Sequence, residues 1–216
     1  MHHHVTPYVD AAFTLRGDAI PLDHGYALLA ALSRRLPALH EARTWGVHPI
    51  LGRRSGPGLL TLTGRSQLKL RVPGDDAGRL MALAQQTLDI AGHRVRVGVP
   101  RLLPLIPTPH LKARFVTVKG FHEDPEPFRA ALQRQLAQMS GLGQDPERIE
   151  VQIGPRRVIR AKNHTVVGWA VALTGLDAGP SLVVQQRGLG GRRHLGAGIF
   201  VPPPRVEPAP ASPIRD

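Results

Sequence analysis

Apolar and polar positions along this chain follow two periods, and the periods alternate in a repeating order. Ala12-Phe13-Thr14-Leu15-Arg16 alternates with period two and stops at Gly17, which reads as a strand. Pro21-Leu22-Asp23-His24 then reads as a helix start with Asp23 as N-cap, because Tyr26, Leu28, Leu29, Leu32, Leu36 and Leu39 follow at helical spacing. Residues 59–63 and 67–72 read as a hairpin-like strand pair. Alternation in its second strand puts Lys69 and Arg71 on one face and Leu68, Leu70 and Val72 on the other. Residues 75–87 read as a second helix, and 88–99 as another hairpin turning at Ala91-Gly92.

The same order returns further on. Residues 111–120 read as a strand ending at glycine, and 126–139 as a helix burying Phe128, Ala131, Leu132 and Leu136. Residues 148–159 and 165–173 form a strand pair, Asp177 caps a short helix, and Ile199-Phe200-Val201 is a last strand. Each half therefore reads β-α-β-β-α-β, and the expected class is α+β with two tandem ferredoxin-like (RRM-like) halves. The halves are expected at 10–102 and 110–202, with the Pro-rich stretch Leu103-Pro-Leu-Ile-Pro-Thr-Pro109 as hinge and 203–216 as a Pro-rich tail.

Charge narrows the partners. A formal net charge of +12 on 216 residues favours a polyanion, since neutralising phosphates releases condensed counterions. Only four of the 28 basic residues are lysines (Lys69, Lys112, Lys119, Lys162), and arginine can grip phosphate with two donors at once. Aromatic residues make up 4%, too few for a broad base-stacking platform, so phosphate and duplex contacts are the expected mode. With no cysteine, disulfides and thiolate metal sites are excluded. No apolar run reaches the ~20 residues of a membrane helix, the start carries no secretory pattern (His2, His3 and His4 read as a tag or tail), and a cytoplasmic location is expected.

The run Gly188-Leu-Gly-Gly-Arg-Arg-His-Leu-Gly-Ala-Gly198 is the most distinctive local feature. Glycines at Gly188, Gly190, Gly191, Gly196 and Gly198 would let backbone N–H groups approach phosphate closely, with Arg192, Arg193 and His194 supplying charge. It is not a nucleotide-binding loop of the usual kinds: it lacks a Gly-Lys-Ser/Thr ending, and it follows a helix and precedes a strand. A tight α-to-β connection with exposed arginines is the alternative. The run resembles the Gly-hydrophobic-Gly signature of the repeat-associated mysterious protein (RAMP) superfamily. It is similar in particular to CRISPR repeat-processing endoribonucleases of the MYXAN-subtype branch, as are Leu22-Asp-His-Gly-Tyr-Ala-Leu28, Gly46-Val-His-Pro-Ile50 and Arg65-Ser-Gln-Leu68. The resemblance spans about residues 12–202 and implies duplicated ferredoxin-like halves, metal-independent cleavage of precursor CRISPR RNA, and no cofactor. It also implies retention of the repeat hairpin and membership of a Cascade-type complex.

In such cleavage a ribose 2′-hydroxyl attacks the adjacent phosphate and the 5′-oxygen leaves, giving a 2′,3′-cyclic phosphate and a 5′-hydroxyl. Histidine suits the general base, and a cation beside the phosphate offsets developing charge. His93, His110, His122 and His164 fall at turns or strand ends. His24, His40 and His48 flank the first helix, where the resemblance places the catalytic histidine. His40 ranks first, on its Leu39-His40-Glu41 setting; His48, in a Gly–Pro turn, follows closely; His24 has the alternative of supporting the helix N-terminus. Ser33 stands where relatives carry a helix tyrosine, while Tyr26 reads as core. Lys69 is the preferred phosphate-facing cation, with Arg53 and Arg54 as alternatives. For RNA contact the candidates are Arg53, Arg54, Arg65, Arg71, the cluster Arg156, Arg157, Arg160 and Lys162, and the glycine-rich loop. A non-catalytic RAMP subunit and a generic RNA-binding module are the competing readings.

Overall fold

A computed structural model describes residues 6–204 apart from 122, 162 and 163, with the side chains of 160, 161 and 164 also left aside. Lys162, the Arg160 side chain, His122, the first three histidines and most of the Pro-rich tail thus lie outside the described residues.

The first half runs β1 (Tyr8–Arg16), β2 (Ala19–Pro21), α1 (Gly25–Arg35), β3 (Gly46–Val47), β4 (Arg53–Ser55), β5 (Leu59–Thr61), β6 (Gln67–Pro73), β7 (Thr87–Ile90) and β8 (His93–Pro104). Its main sheet has the order β3-β6-β1-β8-β7, antiparallel throughout, so β1 lies between the strands that follow the two crossovers. That is the ferredoxin-like order, with β7 added at one edge. Period two in β1 and β6 sends Ala11, Phe13, Leu15, Leu68, Leu70 and Val72 to one face, where Leu28 and Leu32 of α1 pack against them in a single buried cluster. The turn between β7 and β8 forms at Ala91 and Gly92, both with positive φ, as the hairpin motif requires.

The second half runs β9 (Leu111–Val116), α2 (Pro125–Ala137), β10 (Glu150–Ala161), β11 (His164–Thr174) and α3 (Ala178–Arg187). Its sheet order is β10-β11-β9, and a second cluster is built on Phe128, Leu132, Leu136, Leu173, Val184 and Phe200. Asp124 caps α2 by accepting from the Glu126 N–H at 2.9 Å, with Pro125 in the first turn. Among the described residues no helix is long and apolar enough to cross a membrane.

Four local expectations need correction. Residues 59–63 do not form a hairpin with 67–72: β5 pairs with β2 and β4 in a separate three-stranded sheet. The expected α-helix at 75–87 is a 3-10 run over Gly74–Leu83. Its buried residues Ala77, Leu80 and Leu83 are three apart, the 3-10 repeat, and Gly74 and Gly78 weaken an α-helix. Ile199–Val201 contributes only a bridge between Lys112 and Val201. Asp23 does not cap α1: His24 takes the N-cap position, and its side chain makes no cap hydrogen bond.

The halves are joined by buried polar contacts. Arg71 lies on the face of β6 opposite the core, as alternation requires, but the second half covers that face and leaves the residue 1% exposed. Its Nε and Nη2 donate to the two carboxylate oxygens of Asp10 at 2.7 and 2.9 Å. Its Nη1 donates to the carbonyls of Gln185 and Phe200 at 2.9 and 2.6 Å. Arg71 is therefore a joint between halves and is not available to RNA. Burial alone would raise the Asp10 carboxyl, but hydrogen bonds from Arg71 and His48 reverse this and hold it well below the usual carboxylate range.

Arg71→Ala is expected to lower stability by about 3–5 kcal/mol, because it leaves Asp10 charged and underpaired. Asp10→Asn should also lower it. Because the Asp10 pKa is depressed in the folded state, its contribution is complete above the unfolded value and fades only as pH falls well below it. Denaturant unfolding of the variants at pH 7 measures the loss, and a change under 1 kcal/mol in both would contradict the joint.

Candidate nucleic-acid interface

His48 follows β3 at the line where the halves meet. Its backbone N–H donates to the Lys69 carbonyl at 2.9 Å, and its ring Nε2 lies 3.3 Å from Asp10 Oδ1. The residue is 9% exposed and lines three adjoining cavities of about 350, 560 and 700 Å³. Burial lowers its pKa, and the Asp10 carboxylate opposes that only in part. The neutral ring that results can donate from Nε2 to Asp10 and keep a lone pair on Nδ1. Lys69 and Arg65 line the largest cavity with His48, while Arg54, Arg156 and Arg157 line the smallest. Arg53 is exposed on β4, beside Arg54.

The other histidines separate clearly. His24 is 4% exposed and uses both ring nitrogens: Nδ1 donates to the Pro21 carbonyl at 3.0 Å, and Nε2 accepts from the Ile50 N–H at 3.0 Å. It is a clip between the start of α1 and the segment after β3, with no free nitrogen for catalysis. Burial lowers its pKa too, favouring the neutral ring these bonds need. His40 ends a 3-10 turn (Pro37–His40), is exposed, and lines none of the three cavities. Ser33 is not brought to the cleft, and its Oγ is buried without a partner. Tyr26, read as core, is half-buried instead and accepts a hydrogen bond from exposed Arg192 at 2.8 Å.

The glycine-rich loop behaves differently from an open phosphate cradle. All five glycine N–H groups are engaged within the protein. Gly188 donates to the Val184 carbonyl, Gly190 to Gln135 Oε1, Gly191 to the Thr117 carbonyl, Gly196 to the Arg193 carbonyl and Gly198 to the Phe115 carbonyl. Gly188 and Gly198 have positive φ, and a Cβ on Gly188 would lie 2.2 Å from the Gly198 carbonyl oxygen. Glycine is needed there for backbone contact with backbone. Arg193 points inward, donating to the Gln186 carbonyl at 2.9 Å; burial, with Arg71 nearby, pushes its pKa down to about 10. His194 Nε2 lies 2.9 Å from the Ala42 carbonyl in the first half. Arg192 is the one loop side chain among these that reaches outward. The charged residue that pattern reading missed is Arg114 on β9. It lines the smallest cavity, and its alternation outward from Ala113 and Phe115 was the available signal.

Two outcomes test this architecture. Gly188→Ala should destabilise the protein and loosen the loop, seen as a lower melting temperature, whereas Gly191→Ala, with open space around its Cβ position, should be near neutral. His24 and His48 both have depressed folded-state pKa values, so their stability contribution is complete above the unfolded value of ~6.5 and is lost as pH falls below it, by at most about 1.4 kcal/mol per pH unit for each group. His24→Gln should flatten the fall in stability between pH 7 and 5. An unchanged slope would contradict the clip.

A family model described as Cas6 Crispr matches residues 9–205. A CRISPR-associated endonuclease Cas6 from Myxococcus xanthus (strain DK1622) is 43% identical over 199 residues, covering 92% of this chain and 83% of that protein. Among solved structures, a CRISPR-associated protein Cas6 superposes with a TM-score of 0.65 at 14% identity, covering 90% of this chain and 98% of that one. A structure described as a RAMP protein binding different RNA substrates also gives 0.65, at 12% identity and 90% and 98% coverage. These distant structures share the ferredoxin-like halves, and the closer relative and the family match cover the cleft and the loop together: the chain belongs to the Cas6 family of CRISPR-associated endonucleases.

Proposed function

We propose that this chain cuts precursor CRISPR RNA within the repeat by metal-independent attack of a 2′-hydroxyl, with His48 as general base. The observation that carries this is the Asp10–His48 pair, whose histidine borders both the cavity lined by Arg54, Arg156 and Arg157 and the one lined by Lys69 and Arg65. Asp10 accepts from Nε2 and so orients the ring, leaving Nδ1 to take the 2′-hydroxyl proton. The oxygen then closes on the adjacent phosphorus, the 5′-oxygen leaves, and a 2′,3′-cyclic phosphate remains. Lys69 and Arg65, on the His48 side of the largest cavity, offset the charge that develops on the phosphate. Arg53 and Arg192 extend the basic surface for the hairpin backbone. By kinship, the chain stays on the hairpin of its product within a Cascade-type complex in the cytoplasm.

A second reading rests on His40, which is exposed and stands two residues before Ala42, the partner of the loop's His194. Cleavage of a repeat hairpin in the presence of chelator separates the two. His48→Gln keeps a donor for Asp10 but removes the base, and should slow single-turnover cleavage roughly 100-fold or more while leaving the melting temperature close to normal. A 2′-deoxy substitution at the cleavage site should abolish the reaction. Full activity in His48→Gln with loss in His40→Ala would move the base to His40; full activity in both would refute a histidine base from this region.

A further inference from the structure

Four arginines line the 350 Å³ cavity beside His48, and three of them, Arg54, Arg114 and Arg157, have no partner among the described residues. Arg54 comes from β4 in the first half, and Arg114 and Arg157 come from β9 and β10 in the second. Among the described residues, none of the three makes a hydrogen bond or an ion pair. Arg157 Nε is buried with no partner at all. Asp23 is the single acidic residue lining the cavity, and it already has a partner of its own. Burial lowers the pKa of Arg114, and repulsion from Arg157 and Arg54 lowers it further. Buried donors are ordinarily paired, and like charges are ordinarily kept apart. Arg157 Nε breaks the first rule, and the three neighbouring guanidinium groups, two of them exposed at the cavity rim, strain the second; a single anion set among them would satisfy both.

The cavity also limits what that anion can be. It is open to solvent, is bordered by His48 and the His194 segment of the glycine-rich loop, and holds space for a nucleotide-sized group. A phosphodiester offers two unshielded oxygens, each able to accept from guanidinium donors approaching from different sides. We propose that Arg54, Arg114 and Arg157 grip one phosphodiester of the RNA strand as it passes between the halves, with Arg114 at the centre of the clamp. The proposal rests on the reading that RNA occupies this cleft. It makes the phosphate a tie between halves, since its ligands come from both, and it assigns Arg114 a binding role.

The test uses Arg114→Gln and Arg54→Gln in the full chain, a repeat hairpin RNA, and a set of the same RNA carrying one neutral methylphosphonate at a time. Arg114→Gln should weaken binding about tenfold or more and reduce the slope of log affinity against log salt by about one. One methylphosphonate position should weaken binding to the wild type and have little further effect on Arg114→Gln. Because the free protein loses a like-charge repulsion, the melting temperature of Arg114→Gln should stay level or rise.

Unchanged affinity in both variants would overturn the clamp, as would methylphosphonates that weaken wild type and variant equally at every position. A melting temperature that falls along with affinity in Arg114→Gln, and not in Arg54→Gln, would mean that Arg114 supports the fold; the clamp would then fail unless Arg54→Gln shows the same phosphate-specific loss. Should the wild type neither bind nor cut the repeat, the proposed function fails by itself. The comparison of wild type with Arg114→Gln on an unrelated single-stranded RNA still decides the clamp.

Discussion

One guanidinium carries much of the relation between the two halves. Arg71 gives two bonds to Asp10 within its own half and two to backbone carbonyls of the other, so a single rigid planar group ties the two halves at a buried point. Asp10 in turn bonds His48, whose ring lies where the three cavities adjoin. The arrangement couples packing to chemistry: the carboxylate that keeps a buried arginine tolerable is the same one that selects the tautomer of the histidine. A buried ion pair often adds little net stability, yet removing one member is costly, and here either loss would also free the His48 ring from its partner or its place.

The fold was largely legible in the pattern of apolar positions. Period two in β1, β6 and β9 and the helical spacing in α1 and α2 located most of the core residues, and the order of elements implied two ferredoxin-like halves. The failures have physical causes. The strand at Leu59–Thr61 looks like half of a local hairpin, but its partners come from β2 and β4, a pairing that no local spacing encodes. The apolar residues of the 74–83 run are spaced by three, which period-3.6 reasoning absorbs into an α-helix. Alternation gave Arg71 the right face, yet it is blind to a second half landing on that face.

The site was legible in part. The cleft side chains Lys69, Arg54 and Arg157 and the histidine His48 were all identifiable from charge and position, and the structure brings them around adjoining cavities. Which ring nitrogens each histidine keeps free was not legible, because that depends on contacts made only in the fold. His24 uses both, His48 uses one on Asp10, and His40 stands outside the cavities. Two of those three bonds join residues 26 and 38 positions apart. Arg114 escaped notice because its outward alternation marks only an exposed strand position until β10 and β4 bring two more arginines beside it.

The glycine-rich loop has a consequence for how such chains are recognised. Its amides are closed into the second sheet, its His194 reaches Ala42, and its Arg192 reaches Tyr26, so the loop fastens one half to the other before any RNA arrives. The glycines of this run are therefore required by the assembly of the scaffold. A chain could carry this motif for the seating of its halves alone, so in this chain the run reports architecture, and its presence by itself does not report cleavage.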